Sequence, residues 1–300
     1  TKIHESFVPA ATAKLPEDKQ AWSEMRDGWM NALREKSFAA WPEDQPFFKA
    51  KEVFGVSREG IRLEAYDFIS QPGIELRLYL ATSAAGKRPE LVVLNVLDDE
   101  GWREFLATMR PAFEEQFKEE ALPEADQKSF EQTQKMFENF PWAMAYVAPR
   151  GVGPTAWNQS ERKQIQHQRR FYLLGQTLEG MQAWDVRRAV ETLRSDSALA
   201  DVPLWLQAEG RMAGVTIYAS LFVPNVTRLD LHNLPKSHRD GPYLLNVRRY
   251  LDMPQSVAMA AERSKVVLYQ DDESGWEYPQ QVAEKLDWEN GLQIRTPPKE

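Results

Sequence analysis

The hydrophobic and polar positions of this chain repeat with two different periods, and each period predicts a different kind of element. Residues 18–41 carry large apolar side chains at spacings of three and four residues, which predicts an amphipathic helix. Further along the period changes to two, so that residues 61–70 and 74–82 alternate between apolar and polar side chains. A Gln-Pro-Gly turn separates the two alternating segments, and together they predict a β-hairpin with one solvated face.

Beyond this hairpin, short and mostly apolar runs alternate with segments of helical periodicity. Such runs are typical of strands that are covered on both faces, and their alternation with helices predicts a mostly parallel, doubly wound sheet with helices on both faces. The chain is therefore expected to have an α/β fold. The predicted strands are residues 90–97, 141–149, 202–207, 226–234, 265–272 and 291–296, and the predicted helices lie in residues 102–139, 169–195, 213–223 and 278–286.

Two features of this pattern set the expected organisation of the chain. The segment 169–195 predicts one long amphipathic helix, with Leu174 among the side chains available for the core. The first helix precedes every predicted strand, so residues 1–50 are expected to form a helical lead-in and residues 51–300 the α/β domain. A loop at residues 150–155 contains two glycines but no phosphate-binding motif, which favours a tight strand-to-helix crossover.

The stretch 202–223 predicts a buried strand, a tight turn and a helix of small and apolar residues. An α/β hydrolase places its nucleophile at such a turn, within the pattern small-x-nucleophile-x-small. In one register, residues 208–212, the nucleophile position holds Gly210; in the other, residues 210–214, it holds Met212. Neither side chain can attack a carbonyl, so the pattern supports the fold and argues against acyl transfer.

Composition narrows the possible partners and cofactors. The net charge is −8 without a basic tract, which argues against nucleic acid as a partner, and no apolar run is long enough for a membrane span. The chain has no cysteine, and its four histidines are scattered, so neither a metal site nor a cofactor is expected. Cellular location is left open, and export to the periplasm or beyond is compatible with this composition.

A hydrolase triad on this fold also needs an acid after the penultimate strand and a histidine after the last one. Asp271 and Asp272 end the predicted strand 265–272 and can supply the acid. No histidine follows His238, so the general base is missing from its usual place. The three acids at residues 98–100, where an oxyanion loop is expected, would also oppose a developing negative charge.

Other polar residues offer alternative constellations. Asp230 and His232 share one face of a strand end, where they are either a base–orienter pair, half of a metal site or a satisfied buried hydrogen bond. Together with His238 they are the candidates for a non-standard catalytic group. The remaining candidates are substrate-binding residues. Glu209, in the turn, is one of them and is also conceivable as a carboxylate nucleophile. Arg211, Arg248 and Arg249 would hold an acidic group, or else form surface salt bridges.

Three segments resemble the α/β-hydrolase superfamily, in its acetyl xylan esterase and prolyl-oligopeptidase-like branch. They are GQTLEGMQAWDVRRAVETLRS, VPLWLQAEGRMAGVTIYASLF and YLDMPQSVAMAAERSKVVLYQDD. The turn is also similar to that of glucuronoyl esterases, in which an arginine follows the nucleophile as Arg211 follows Gly210. The resemblance covers residues 61–296; it implies that the serine of the family falls on Gly210 and its acid on Asp271 or Asp272, while its histidine has no counterpart.

The resemblance and the missing residues lead to two expectations of function. The first is a hydrolase-fold module without the serine and histidine of the triad. It would bind or scaffold, as part of a longer carbohydrate-esterase-like chain beside a second hydrolase module, as a homo-oligomer, or with a polysaccharide or oligosaccharide. The alternative is an active carboxylic-ester hydrolase of the carbohydrate acetyl esterase type, which uses a constellation around Asp230, His232 and His238.

Overall fold

A computed structural model describes residues 14–42, 49–157, 160–288 and 291–297 of the chain. The strands are β1 (Lys51–Arg58), β2 (Ile61–Gln71), β3 (Ile74–Ser83), β4 (Leu91–Val96), β5 (Trp142–Val147), β6 (Leu204–Glu209), β7 (Val226–His232), β8 (Lys265–Tyr269) and β9 (Leu292–Arg295). The helices are α1 (Lys19–Ala32), α2 (Asp99–Phe113), α3 (Gln127–Asn139), α4 (Glu161–Leu173), α5 (Leu178–Ser195), α6 (Gly210–Leu221), α7 (Met253–Ala261) and α8 (Glu277–Lys285).

The described strands form one sheet of nine in the order β1-β2-β3-β5-β4-β6-β7-β8-β9. Strands β1 to β3 pair antiparallel, β3 pairs antiparallel with β5, and β5 pairs parallel with β4. The pairs β7–β8 and β8–β9 are also parallel. The predicted α/β fold, a mostly parallel sheet with helices on both faces, is confirmed.

The chain divides into two compact units. The first unit comprises residues 1–43, 158–184 and 208–300, and the second comprises residues 44–157 and 185–207. The division into a helical lead-in at residues 1–50 and an α/β domain at residues 51–300 stays a prediction. No helix in the described part of the chain is long and apolar enough to cross a membrane.

In the first unit, helix α6 is almost entirely buried. Its side chains from Met212 to Leu221 are all buried, so it has no solvated face. Small residues allow this close packing: a Cβ atom added at Gly214 would lie 2.4 Å from Cδ of Pro242. Aromatic rings complete the core beside the helix, with Tyr218 and Phe222 both in edge contact with Phe38.

In the second unit, the core is a cluster of aromatic side chains between the sheet and α2. Tyr79 lies 5.7 Å from Trp102, 5.1 Å from Phe105 and 5.6 Å from Phe117, measured between ring centroids. All four rings are buried. Burial of each such side chain contributes about 2–3 kcal/mol to stability, so this cluster is a major source of folding energy in the unit.

The prediction of one long helix at residues 169–195 is wrong, because two helices occupy this segment. Helix α4 ends at Leu173 and α5 begins at Leu178, and between them Gly175 adopts a φ of +70°. Glycine takes this left-handed conformation without strain, which is how many helices end. Leu174, expected in the core, is 70% exposed as a result.

Candidate functional site

The turn between β6 and α6 bends sharply at Gly210, which has a φ of +54°. This conformation is strained for residues with a side chain, so glycine lets the strand pass directly into the helix. A Cβ atom added at Gly210 would meet no other atom within 4 Å. Met212, the candidate in the alternative register, is buried inside α6. The structure therefore places residue 210 at the bend, with open space beside it.

Glu209 ends β6 immediately before this bend, and its side chain is exposed. The Nδ2 atom of Asn233, which follows β7, donates a hydrogen bond of 2.7 Å to Oε1 of Glu209. Arg211, on the other side of the bend, holds its guanidinium 5.3 Å above the ring of Tyr243. A carboxylate and a guanidinium therefore flank the open space at Gly210.

A chain of hydrogen bonds, buried except at Asp252, runs from Asp252 to Ser256 in the first unit. Oδ1 of Asp252 lies 2.8 Å from Nδ1 of His238, and Nε2 of the same imidazole lies 2.7 Å from the hydroxyl of Tyr218. That hydroxyl lies 2.6 Å from Oγ of Ser256. His238, Tyr218 and Ser256 are all buried. This arrangement joins an acid, an imidazole and hydroxyl groups, as a base–orienter pair requires.

Asp252 is the acid that sequence reasoning missed. It caps α7, since its carboxylate accepts from the backbone N–H of Met253, and Gln255 completes a capping box. The sequence does carry this signal, as Asp followed three residues later by Gln, with Pro in the first turn. A capping signal does not reveal a histidine partner, so its role beside His238 could not be read from the pattern.

Asp252 makes the stability of the first unit dependent on pH. Burial pushes its pKa upward, but hydrogen bonds from His238 and Ser237 outweigh this and hold the pKa well below its ordinary value of 3.8. A depressed folded-state pKa stabilises the fold above pH 3.8, and this contribution is lost as the pH falls from there through the folded-state pKa.

We therefore expect Asp252→Asn to weaken the dependence of the melting temperature on pH between about pH 5 and pH 2. Thermal unfolding followed by circular dichroism checks this expectation. Asp201→Asn, at an exposed carboxylate, is the control and should keep the dependence of the unmodified chain. Equal slopes for Asp252→Asn and the unmodified chain would contradict it.

The predicted acids Asp271 and Asp272 lie after β8 and are exposed. Oδ2 of Asp272 accepts a hydrogen bond of 2.6 Å from Nζ of Lys236 and one of 2.8 Å from Oγ of Ser274. The hydrogen bond from Lys236 is the main reason that the pKa of Asp272 lies well below its usual range. Asp272 is thus paired with Lys236, whereas His238 is paired with Asp252. The role of Asp271 or Asp272 as the acid of a catalytic triad stays a prediction.

Asp230 and His232 each have a partner outside the predicted group of Asp230, His232 and His238. Oδ1 of Asp230 accepts from both Nε and Nη2 of Arg228, at 2.9 and 2.7 Å. The imidazole of His232 stacks on Tyr269 with 4.3 Å between ring centroids. Burial lowers the pKa of His232, against opposing effects of Glu209 and Asp230. Among the described residues no hydrogen bond joins these three side chains, and their joint catalytic role stays a prediction.

Among the three acids at residues 98–100, in the second unit, Asp98 binds the first turn of a helix. Oδ1 of Asp98 accepts from the backbone N–H groups of Glu100 and Gly101, at 3.1 and 2.9 Å. Asp98 is therefore the N-cap of α2, and acids favour this position because of the helix dipole. Within the described residues, no group of three or more acids or histidines is arranged to hold a metal ion.

Comparison with known proteins places this geometry in a structural class. No family model and no curated protein matches the sequence. A protein from Bacteroides fragilis proposed to be an acetyl xylan esterase matches 99% of this chain and 81% of its own, with a TM-score of 0.74 and 12% identity. A glucuronoyl esterase from Solibacter usitatus matches 96% of this chain and 94% of its own, with a TM-score of 0.63 and 10% identity.

A third solved structure, an acetyl xylan esterase from Paenibacillus sp. R4, matches 96% of this chain and 91% of its own, with a TM-score of 0.54 and 12% identity. Identities this low establish a shared fold and nothing finer. The chain has the α/β-hydrolase fold, and the structures it is similar to are described as esterases. This confirms the resemblance that the sequence motifs indicated.

Proposed function

We propose that this chain recognises carboxylic esters of carbohydrates, with the bend at Gly210 as the ester-binding point. The observation that carries the proposal is that bend, with its φ of +54° and open space beside it, at the junction where this fold holds its reacting group. The names of the similar structures support the carbohydrate-ester class. A polysaccharide ligand would further imply an exported chain.

Residue 210 cannot form an acyl-enzyme, because glycine has no side chain to attack the ester. The first version of the proposal is therefore that the chain binds the ester without cleaving it, as a binding or scaffolding module. Exposed polar groups at the bend support this version: Glu209 and Arg211 flank the space where an ester would lie. Arg248 and Arg249 remain candidates for holding an acidic group of the ligand.

The second version is that the chain hydrolyses the ester with a group other than residue 210. The esterase names of the similar structures favour this version, and so does the Asp252–His238 pair. Tyr218 is not the nucleophile in it: burial raises its pKa well above 10.0, which keeps the phenol protonated. Hydrolysis would instead require Nε2 of His238 to leave Tyr218 and take a proton from water.

Two measurements on the unmodified chain separate these versions. Calorimetry with acetylated xylo-oligosaccharides detects binding, and release of nitrophenol from nitrophenyl acetate detects cleavage. Binding without turnover supports the first version. Turnover that is lost in His238→Asn but kept in Asp272→Asn supports the second version. The absence of both binding and turnover would refute the proposal as a whole.

The variant Gly210→Ser tests the role of the bend directly. The added side chain has room, and the positive φ should lower stability by only about 1–2 kcal/mol. We expect no labelling of the introduced serine by a fluorophosphonate probe, because the imidazole of His238 is held by Tyr218 and Asp252 and that of His232 is stacked on Tyr269. Gly210→Ala is the matched control for strain. Strong labelling of the serine variant would show that a base does reach the bend.

A further inference from the structure

Helix α4, in the first unit, presents a group of apolar side chains to solvent. Of the seven large apolar side chains that are exposed in the described part of the chain, four lie in α4 or directly after it: Ile165, Tyr172, Leu173 and Leu174. The last two are 86% and 70% exposed. Single exposed apolar side chains are normal on a protein surface, but a cluster of them on one helix marks an interaction surface.

The solvent side of α4 follows from the helical repeat. Ile165, Arg169 and Tyr172 are spaced by four and then three positions, which places them on one side of the helix, and all three are exposed. His167 and Phe171, four positions apart on the opposite side, are partly buried. The apolar side chains of α4 therefore project outward, away from the side by which the helix packs.

Cations accompany these apolar side chains. Arg162, Lys163, Arg169 and Arg170 are exposed, and none of them forms an ion pair or a side-chain hydrogen bond with another described residue. Residues 162–175 contain no acid, although the net charge of the chain is −8. Positive charge is thus concentrated on α4 against the overall charge of the protein, which favours a negatively charged partner.

The combination of cations and exposed leucines favours an anionic lipid surface as that partner. In the headgroup layer of a bilayer, cations of a helix pair with lipid phosphates while its large apolar side chains enter the acyl boundary. Self-association through the same face would bring the cations of two copies together with no acid between them. A nucleic acid would pair with the cations but would leave Leu173 and Leu174 in water.

We infer that α4 docks this protein on a bilayer that contains anionic phospholipid, with Leu173 and Leu174 inserted at the acyl boundary. The helix has 13 residues and is about 20 Å long, which is too short to cross the hydrocarbon core, so it lies in the plane of the interface. The inference goes beyond ester recognition and does not depend on it, because it uses neither the bend at Gly210 nor the pair of Asp252 and His238.

Co-sedimentation with lipid vesicles tests this inference. We expect the unmodified chain to bind vesicles of equal parts phosphatidylcholine and phosphatidylglycerol at least about tenfold more tightly than vesicles of phosphatidylcholine alone, and added salt should weaken this binding. Arg169→Gln combined with Arg170→Gln should weaken it by about 25-fold, since each basic residue near an anionic surface contributes about fivefold. Lys128→Gln combined with Lys135→Gln removes two exposed cations from α3 and is the matched control, which should keep the binding of the unmodified chain.

A second pair of variants tests the insertion of the apolar side chains. Leu173→Ser combined with Leu174→Ser should weaken binding to the anionic vesicles by at least about tenfold and leave the melting temperature unchanged, because both side chains are exposed in the free protein. Val53→Ser, at an exposed valine of β1, is the control. The chain has no cysteine, so Leu174→Cys provides a single site for an environment-sensitive dye, whose emission should increase when the anionic vesicles are added.

Several outcomes would overturn the inference. Equal binding to the neutral and the anionic vesicles would remove the lipid charge from recognition, and unchanged binding in both double variants would place the contact elsewhere on the chain. Binding without a change in dye emission would make α4 a site for a polyanion rather than for a bilayer. Failure to bind either kind of vesicle would refute the inference outright, and dimerisation that disappears in the leucine double variant would then assign this face to a second copy of the chain.

Discussion

Replacing Asp185 with alanine is expected to lower the free energy of unfolding by about 3–5 kcal/mol, the range for breaking one side of a buried ion pair. Asp185 is fully buried in the second unit, and the side chain of Arg150 is only 7% exposed. Oδ1 and Oδ2 of Asp185 accept from Nη2 and Nε of Arg150, at 2.6 and 2.8 Å. Ser70 donates a further hydrogen bond of 2.5 Å to Oδ1.

The size of the effect follows from what the variant leaves behind. Without Asp185, a buried guanidinium keeps its charge and loses its anion, and the hydroxyl of Ser70 loses its acceptor. Urea unfolding followed by tryptophan fluorescence measures the loss. Glu114→Ala is the control, because its ion pair with Arg110 is exposed and should be worth less than about 1 kcal/mol.

A double variant separates the lost charge pair from general disruption. Arg150→Met combined with Asp185→Leu removes both charges, and we expect it to be more stable than Asp185→Ala alone. A loss below about 1 kcal/mol in Asp185→Ala would contradict the assignment of this pair as a main stabiliser of the unit.

The sequence pattern was sufficient to predict most of the sheet, because buried parallel strands differ sharply in composition from their surroundings. The strands from β4 to β9 and the bend at Gly210 were all anticipated within a few residues. Strand β1 was missed: its residues from Lys51 to Arg58 are largely exposed, so neither alternation nor a buried run marks them. An edge strand of this kind is specified by its partner β2.

The break between α4 and α5 was missed for a different reason. Leu173 and Leu174 continue the apolar periodicity, although they are 86% and 70% exposed. The signal that was available is Gly175, since glycine directly after a periodic segment is a common helix end. Because the apolar periodicity continues across this local stop signal, spacing alone predicts a single helix.

Of the candidate site, sequence reasoning found the bend, its flanking charges and His238, but not the partner of His238. Fourteen positions separate His238 from Asp252, and the segment between them has little regular structure. Such contacts depend on the tertiary path of a loop, on which apolar periodicity carries no information. The same limit applies to Arg150 and Asp185, which lie 35 positions apart.

The loop at residues 150–155 owes one of its glycines to packing rather than to a ligand. Gly153 has a φ of +53°, and a Cβ atom there would lie 2.8 Å from Cγ of Trp102. Trp102 is buried against Tyr79 and Phe105, so its ring has little freedom to move away. The sequence favours a tight strand-to-helix crossover here over a phosphate-binding loop, and close packing on Trp102 accounts for the glycine without a ligand. Arg150, at the start of the loop, is held by Asp185.

We therefore expect Gly153→Ala to lower the free energy of unfolding by about 2–4 kcal/mol, from the left-handed backbone and the overlap with Trp102 together. Gly86→Ala separates the two causes, because Gly86 has a similar φ of +68° but no atom within 4 Å of an added Cβ. That control should lose only about 1–2 kcal/mol in urea unfolding. Equal losses of unfolding free energy in both variants would mean that the contact with Trp102 is relieved at little cost. The close approach of the loop to the indole would then not explain why glycine occupies position 153.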